Sequence, residues 1–183
     1  ITIGDPLLAE TQMGPVATKL QLEKDESMVR RAVEEGGAVL TGGARPKLAA
    51  FPDGYFFEPT IVHQAAKDSF LMKNEVLGPV LAVTPFTDEA EAVALANDTE
   101  FGLAAGVWTR DINRAPKMAR ALESGTVWIN TYRALTFNSP FGGNKSSGIG
   151  RQNGIEAVQQ YLQTKSVWVE LGEEVQDPFI MKV

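Results

Sequence analysis

Between residues 79 and 130 the sequence alternates two kinds of run, and this alternation limits the fold more than any other feature. Pro79-Val80-Leu81-Ala82-Val83-Thr84-Pro85 is short, apolar on both sides and closed by a proline at each end. Such a run reads as a strand buried on both faces, the pattern of parallel sheets. Thr87 is then placed as the cap of a helix running to about Asn97, with Asp88 and Glu89 in its first turn, where carboxylates favour the positive helix end. Leu103 to Thr109 reads as the next strand. Ile112, Ala115, Ala119 and Leu122 recur at helical spacing over 112–123. Pro116 fits that helix if Asn113 is its cap, because a first-turn residue has no helical partner for its N–H to lose. Gly125-Thr126-Val127-Trp128-Ile129-Asn130 is a strand again. This order predicts crossovers in an α/β fold, a mainly parallel sheet with helices on both faces.

The flanking segments extend the pattern. Val16, Leu20, Met28, Val29, Ala32 and Val33 share much of a helical spacing over 16–35, and Gly36-Gly37 ends that helix. Ala38-Val39-Leu40-Thr41 is a short strand closed by Gly42 and Gly43. Residues 44–54 form a loop. Tyr55 to Val62 is extended and broken at Pro59, which makes its first half an edge or a lone segment. Residues 65–77 read as helical or irregular. A helix is expected from about Asn153 to Leu162. Ser166 to Leu171 sets Val167, Val169 and Leu171 on one face and Trp168 opposite. Having no crossover after it, that segment reads as an arm that pairs elsewhere. The division expected is 1–163 for a body and 164–183 for the arm.

The chain has 183 residues, enough to bury a sizeable core. Its 17 basic and 23 acidic residues leave a net charge of −6 and give no sign of a duplex-binding face. There is no cysteine, which excludes a disulfide framework, a thiolate zinc site and any thiol nucleophile in these residues. One histidine, His63, leaves little room for imidazole chemistry. No apolar run approaches the ~20 residues of a membrane-spanning helix, and no signal peptide is visible. A cytoplasmic location and no membrane or nucleic-acid partner are expected. The chain begins at Ile1 rather than Met, as a processed product or a piece of a longer chain does.

Three places could carry chemistry. Gly148-Ile149-Gly150 with Gly154 has the spacing GxGxxxG, one residue longer than a dinucleotide fingerprint, and no strand precedes it, so a glycine-rich turn entering a helix is the better reading. Glu75, in Lys73-Asn74-Glu75-Val76-Leu77-Gly78-Pro79-Val80, stands at a strand entrance, where a carboxylate can accept hydrogen bonds from sugar hydroxyls; a plain surface glutamate fits the same position. Asn130-Thr131-Tyr132-Arg133-Ala134-Leu135-Thr136-Phe137 leaves the carboxyl end of a strand, where open α/β sheets place ligands, and reads equally as an ordinary connector.

Taken in order, several segments resemble the NAD(P)-dependent aldehyde dehydrogenases. They are Gly4-Asp5-Pro6 with Gln12-Met13-Gly14-Pro15, Gly54-Tyr55-Phe56-Phe57-Glu58-Pro59-Thr60, Glu75-Val76-Leu77-Gly78-Pro79-Val80, Ala96-Asn97, Gly102-Leu103-Ala104-Ala105 and Gly125 to Asn130. Pro140-Phe141-Gly142-Gly143, Lys145 and Ser147-Gly148-Ile149-Gly150-Arg151 complete the series. The resemblance runs from about residue 4 to residue 170. It implies the distal part of that family's catalytic domain followed by a C-terminal oligomerisation strand.

The resemblance also implies roles. Glu75 matches the glutamate that binds the nicotinamide ribose, and Leu77 a position that packs near the nicotinamide and is usually phenylalanine. Leu135 and Phe141 match residues of the substrate tunnel. Gln152 replaces a common glutamate, and its neutral amide cannot relay a proton. Arg133, in the substrate loop, could pair with an anionic group on a substrate. In the family a cysteine thiolate adds to the aldehyde, backbone and asparagine donors hold the oxyanion, hydride passes to NAD(P)⁺, and a glutamate-activated water hydrolyses the thioester. By resemblance, the cysteine, that glutamate, the asparagine and the cofactor domain lie before Ile1. The expectation is therefore the C-terminal portion of an enzyme that uses NAD or NADP to oxidise an aldehyde to a carboxylic acid. Alone, these residues are expected to be inactive and to bind no cofactor. The parent is expected to be a homo-oligomer, a dimer or tetramer. The rival expectation is a non-catalytic oligomerisation or interaction module built on the same fold.

Overall fold

A computed structural model describes residues 1–63, 66–172 and 179. The first helix, α1 (Lys19–Glu34), begins at Thr18, whose hydroxyl accepts the Gln21 N–H, and ends where Gly36 takes a positive φ of 97°. Its buried stripe is Leu22, Asp25, Met28, Val29 and Ala32. It packs on the first strand, β1 (Ala38–Thr41), and on a short helix, α2 (Phe70–Lys73). The next strands are β2 (Thr60–His63) and β3 (Val80–Val83). Together these form a three-stranded sheet of order β1-β2-β3, antiparallel between β1 and β2 and parallel between β2 and β3.

The core lies between α1 and this sheet. Met28, Ala32, Val62, Leu71 and Val76 form one buried cluster, and Leu22, Val29 and Phe57 a second. Val39 and Val80 pack against both. Phe57 comes from the extended stretch before Pro59, which stays outside the ladder, as the proline implies.

The second half is built of smaller pieces. Helix α3 (Glu89–Asn97) leads to β4 (Phe101–Gly102) and β5 (Ala104–Val107); helix α4 (Arg114–Ala121) leads to β6 (Thr126–Ile129). β5 and β6 pair in parallel, and α4 packs on both. The glycine-rich segment contributes β7 (Asn144–Lys145), antiparallel to β4, and then α5 (Gly154–Gln159).

The structure corrects the expected single sheet. There are three small sheets among the described residues, two with an antiparallel pair, and no one sheet for helices to cover on two faces. β3, expected to be buried on both sides, is instead an edge strand with Leu81 58% and Val83 37% exposed. Its apolar run suits burial, but β2 is its one neighbour among the described residues.

One cap differs, and another stands where expected but bonds otherwise. The cap of α3 is Asp88, not Thr87. Asn113 holds the cap position of α4 in a helical conformation without a side-chain bond, and Asp111 Oδ1 accepts the N–H groups of Asn113 and Arg114 instead. Residues 164–171 pair with no strand among the described residues, and Trp168 is 94% exposed. The rest of the expected arm, apart from Gly172 and Phe179, lies outside the described residues.

Candidate functional site

Glu75 sits in the irregular link between α2 and β3. Asn74 closes α2 by donating both its N–H and its side-chain amide to the Phe70 carbonyl. From there the backbone runs extended to Val76, which is buried, and turns at Leu77 with φ +61°. The Pro79 carbonyl then accepts the Thr60 N–H and starts the β2–β3 ladder.

The Glu75 carboxylate is exposed and makes no hydrogen bond or ion pair among the described residues. It opens on two grooves. One, of about 510 Å³, is lined by Leu71, Asn74, Val76 and Leu77 among others. The second, of about 470 Å³, brings Phe101, Leu103, Ser146 and Ser147 opposite Glu75. The β4–β7 pairing makes that approach possible, because it lays Lys145 beside Phe101. Lys145 Nζ donates to the Asn97 and Thr99 carbonyls at 2.8 and 3.2 Å and pairs with Glu123 at 2.6 Å.

Arg133, Leu135 and Phe141 belong to a different stretch. Asn130 ends β6 with φ +52° and holds Thr109 with both amide atoms, each bond 2.8 Å. The Trp128 indole N–H donates to the Ala134 carbonyl at 2.8 Å, and its ring meets Tyr132 edge-on with centroids 5.6 Å apart. Arg133, itself at φ +56°, carries its guanidinium over the Tyr132 ring at 5.4 Å and forms no ion pair among the described residues. Leu135 is 58% exposed. Phe141 exchanges two backbone hydrogen bonds of 2.7 Å with Gln152, which ties the Gln152 position to backbone pairing. Arg151 fixes the intervening turn, donating to the Gly143 and Gly150 carbonyls and to Asn144 Oδ1. The structure thus brings Glu75 and Leu77 to one groove, and Arg133, Leu135 and Phe141 line neither of the two grooves at Glu75.

Sequence reasoning missed three residues of α1 that hold the Glu75 link. Gln21 Nε2 donates to the Val76 carbonyl at 2.8 Å and to Asp25 Oδ1 at 2.6 Å, and Lys24 Nζ donates to the Glu75 carbonyl at 2.7 Å. Asp25 is fully buried, and its carboxylate lies so close to Gly78 that a Cβ there would overlap both oxygens. Burial pushes the Asp25 carboxyl above its ordinary range, against the Gln21 hydrogen bond and the Lys24 charge, which act to lower it. The signal was present: Leu22, Asp25, Val29 and Ala32 share one helical face, so an acid interrupts an apolar stripe.

No group of three or more potential metal ligands occurs among the described residues. No helix among them is long and apolar enough to cross a membrane.

The fold is that of an α/β domain with an exposed glutamate at a strand entrance and a glycine-rich segment folded back across a groove from it. The chain belongs to the aldehyde dehydrogenase family, whose model matches residues 1–167. Betaine aldehyde dehydrogenase of Brucella anthropi is 48% identical over 179 residues, and that of Brucella melitensis 44%. Each match covers 98% of this chain and 37% of the relative, so the chain spans little more than a third of the length of these relatives. Betaine aldehyde dehydrogenase from Staphylococcus aureus, solved in complex with NAD⁺, superposes with a TM-score of 0.92 at 38% identity, over 99% of this chain and 36% of that one. An NAD⁺ complex of aldehyde dehydrogenase from Bacillus cereus gives 0.87 at 40% identity, over 94% and 34%.

Proposed function

We propose that these residues are the C-terminal portion of an NAD(P)⁺-dependent aldehyde dehydrogenase that oxidises an aldehyde to a carboxylic acid, and that they supply the wall facing the nicotinamide ribose. One observation carries the reading: an exposed Glu75 carboxylate, free of partners among the described residues, on a backbone held from behind by α1. A carboxylate in that state offers acceptors to a pair of ribose hydroxyls without first breaking a bond of its own. Leu77 beside it is 67% exposed and offers an apolar surface to the nicotinamide. NAD⁺, when bound, accepts hydride. NAD⁺ rather than NADP⁺ is favoured because two relatives of known structure were solved with it.

These residues contain no cysteine and so bring no thiol nucleophile. The isolated chain is accordingly inactive in this reading and binds no cofactor by itself. Leu135 and Phe141 form part of the substrate passage, and the enzyme works in the cytoplasm as a dimer or tetramer.

The names of the relatives make betaine aldehyde the first substrate to test. A second reading is favoured by Arg133. Its guanidinium, over Tyr132 and without an anionic partner among the described residues, would repel a quaternary ammonium group at that place and attract a carboxylate. Steady-state kinetics of a full-length enzyme carrying this segment separate the two. Under the second reading Arg133→Ala raises KM about tenfold for an aldehyde bearing a carboxylate, the loss of one charge-assisted contact, and leaves neutral aldehydes nearly unchanged. Equal effects on both remove Arg133 from substrate recognition. Absence of NADH formation with any aldehyde contradicts the function itself.

A further inference from the structure

We propose that Asn153-Gly154 is a site of deamidation, a covalent modification carried out by the chain's own backbone, and that the hydrogen bond from the Gly154 N–H to the Phe137 carbonyl gates it. The proposal depends neither on the role of Glu75 nor on that of Arg133.

Of the seven asparagines in the sequence, Asn153 alone precedes a glycine. Glycine has no side chain to hinder approach to its own nitrogen. The pair lies at the entrance to α5, where both residues take a positive φ, 60° for Asn153 and 64° for Gly154. Asparagine and glycine tolerate that conformation best, which explains the dipeptide at this turn. Most of the other asparagine side chains are held. Asn97 and Asn130 each bond through both amide atoms, Asn74 donates to the Phe70 carbonyl, and Asn144 accepts from Arg151. The Asn153 side chain is half-buried and makes no hydrogen bond among the described residues. Asn113 and Asn138 are also unbonded there, but arginine and serine follow them.

The step is an intramolecular acyl substitution. The Gly154 nitrogen attacks the side-chain carbonyl carbon of Asn153 and gives up its proton. The bond from that carbon to the amide nitrogen breaks, ammonia leaves, and a five-membered succinimide closes. Water then opens either ring carbonyl, giving aspartate or, with one more carbon in the backbone, isoaspartate. Nucleophile and carbonyl on adjacent residues meet without any cost of association. The fold resists the step in two ways. The attacking N–H is engaged, donating to the Phe137 carbonyl at 2.9 Å. Ring closure also needs ψ of Asn153 to rotate from 174° until the Gly154 nitrogen eclipses the Asn153 Cβ, while Gly154 packs so close to Pro140 that an added Cβ would meet its nitrogen at 3.1 Å. Reaction therefore waits for the 137–154 bond to open. Phe137 is 81% exposed, and exposed attachments of this kind open before the core does. Either product places a negative charge beside Pro140, and the iso form lengthens the chain between the Phe141–Gln152 bridge and α5.

The test is peptide mass spectrometry of a full-length enzyme carrying this segment, incubated in mildly alkaline buffer and sampled over time. Trypsin cuts after Arg151 and Lys165 and releases residues 152–165, in which Asn153 is the sole asparagine. The expected result is the mass change of an amide converted to an acid, located at residue 153 by fragmentation, with part of the product recognised by an isoaspartyl methyltransferase. Conversion at Asn153 is expected to run ahead of Asn113 and Asn138. In urea it is expected to be about tenfold faster than in the native enzyme, the scale of one backbone hydrogen bond. Asn153→Leu removes the mass change and the methyl acceptance together. Conversion confined to the denatured protein is the limiting case of the same gate and supports it. Equal rates in native and denatured protein overturn the gate. No conversion at Asn153 in either state overturns the site.

Discussion

Asp25 shows how one side chain can weaken a fold and still serve it. Lys24 and Gln21 stand beside it on α1, and the Glu75–Gly78 link covers it. Its carboxyl is held above the ordinary range mainly by burial. A raised carboxylic pKa means that the folded state holds the proton more tightly than the unfolded state. Stability therefore falls as pH rises from the unfolded value through the folded one. At neutral pH the buried charge is a net liability. Asp25→Asn keeps the shape and the oxygen that accepts from Gln21, and removes the charge. It is expected to raise Tm by about 2–4 °C at pH 7, the scale of one buried polar penalty in a chain of this length, with the gain shrinking in acid. An equal shift at both pH values in a melting experiment would show that ionisation of Asp25 is not the cause. Glu75 was singled out from a contiguous motif, and the structure leaves that residue exposed. Gln21, Lys24 and Asp25 were not read as site residues, since their partners lie more than fifty residues away and nothing local announces them.

The elements were legible where one periodicity ruled. α1, β1, β6 and the proline-bounded β3 form where spacing and terminators place them. The cap of α3 was harder, because Thr87 and Asp88 are both good capping types. The structure divides the work: Asp88 Oδ1 accepts the Glu91 N–H at 2.9 Å, and Glu91 reaches back to accept the Thr87 N–H and hydroxyl at 2.7 Å each. This is a capping box displaced by one residue, reinforced by the ion pair from Lys67 to Glu91. Lys67 above all, then the two Thr87 donors, hold the Glu91 carboxyl down to about 2. For an acid with a lowered pKa, the stabilising contribution is complete above the ordinary value of 4.5 and is lost as pH falls toward about 2. Glu91→Gln should therefore fray the first turn of α3 at neutral pH, seen as faster amide hydrogen exchange over 88–92. It should also remove an acid-dependent increase in exchange that the parent shows in that window. Identical acid profiles for both proteins would contradict the assignment. The pairing of strands into three sheets was not legible, because pairing is non-local and each strand has four residues or fewer to specify a neighbour.

At the scale of the whole molecule, apolar surface is left without cover among the described residues. Leu81 and Val83 lie along the outer edge strand β3, and Val167, Trp168, Val169 and Leu171 are 73–94% exposed on a segment that joins no strand among the described residues. Edge strands and apolar patches of this kind recruit partners. The chain is expected to self-associate, to at least a dimer by light scattering, and Trp168→Glu to reduce the average mass. A monomer at all concentrations would count against the oligomerisation arm. The buried core is concentrated beneath α1, while the second half buries Ala115, Met118 and Leu122 and little else that is large and apolar. That asymmetry matches a chain spanning 37% of the length of its relatives. The measurement that bears most directly on the account is NADH formation from NAD⁺ and betaine aldehyde, run side by side on a full-length enzyme carrying this segment and on the 183 residues alone. The account predicts steady turnover by the first and none by the second, which contains no thiol; turnover by the 183 residues alone would contradict it.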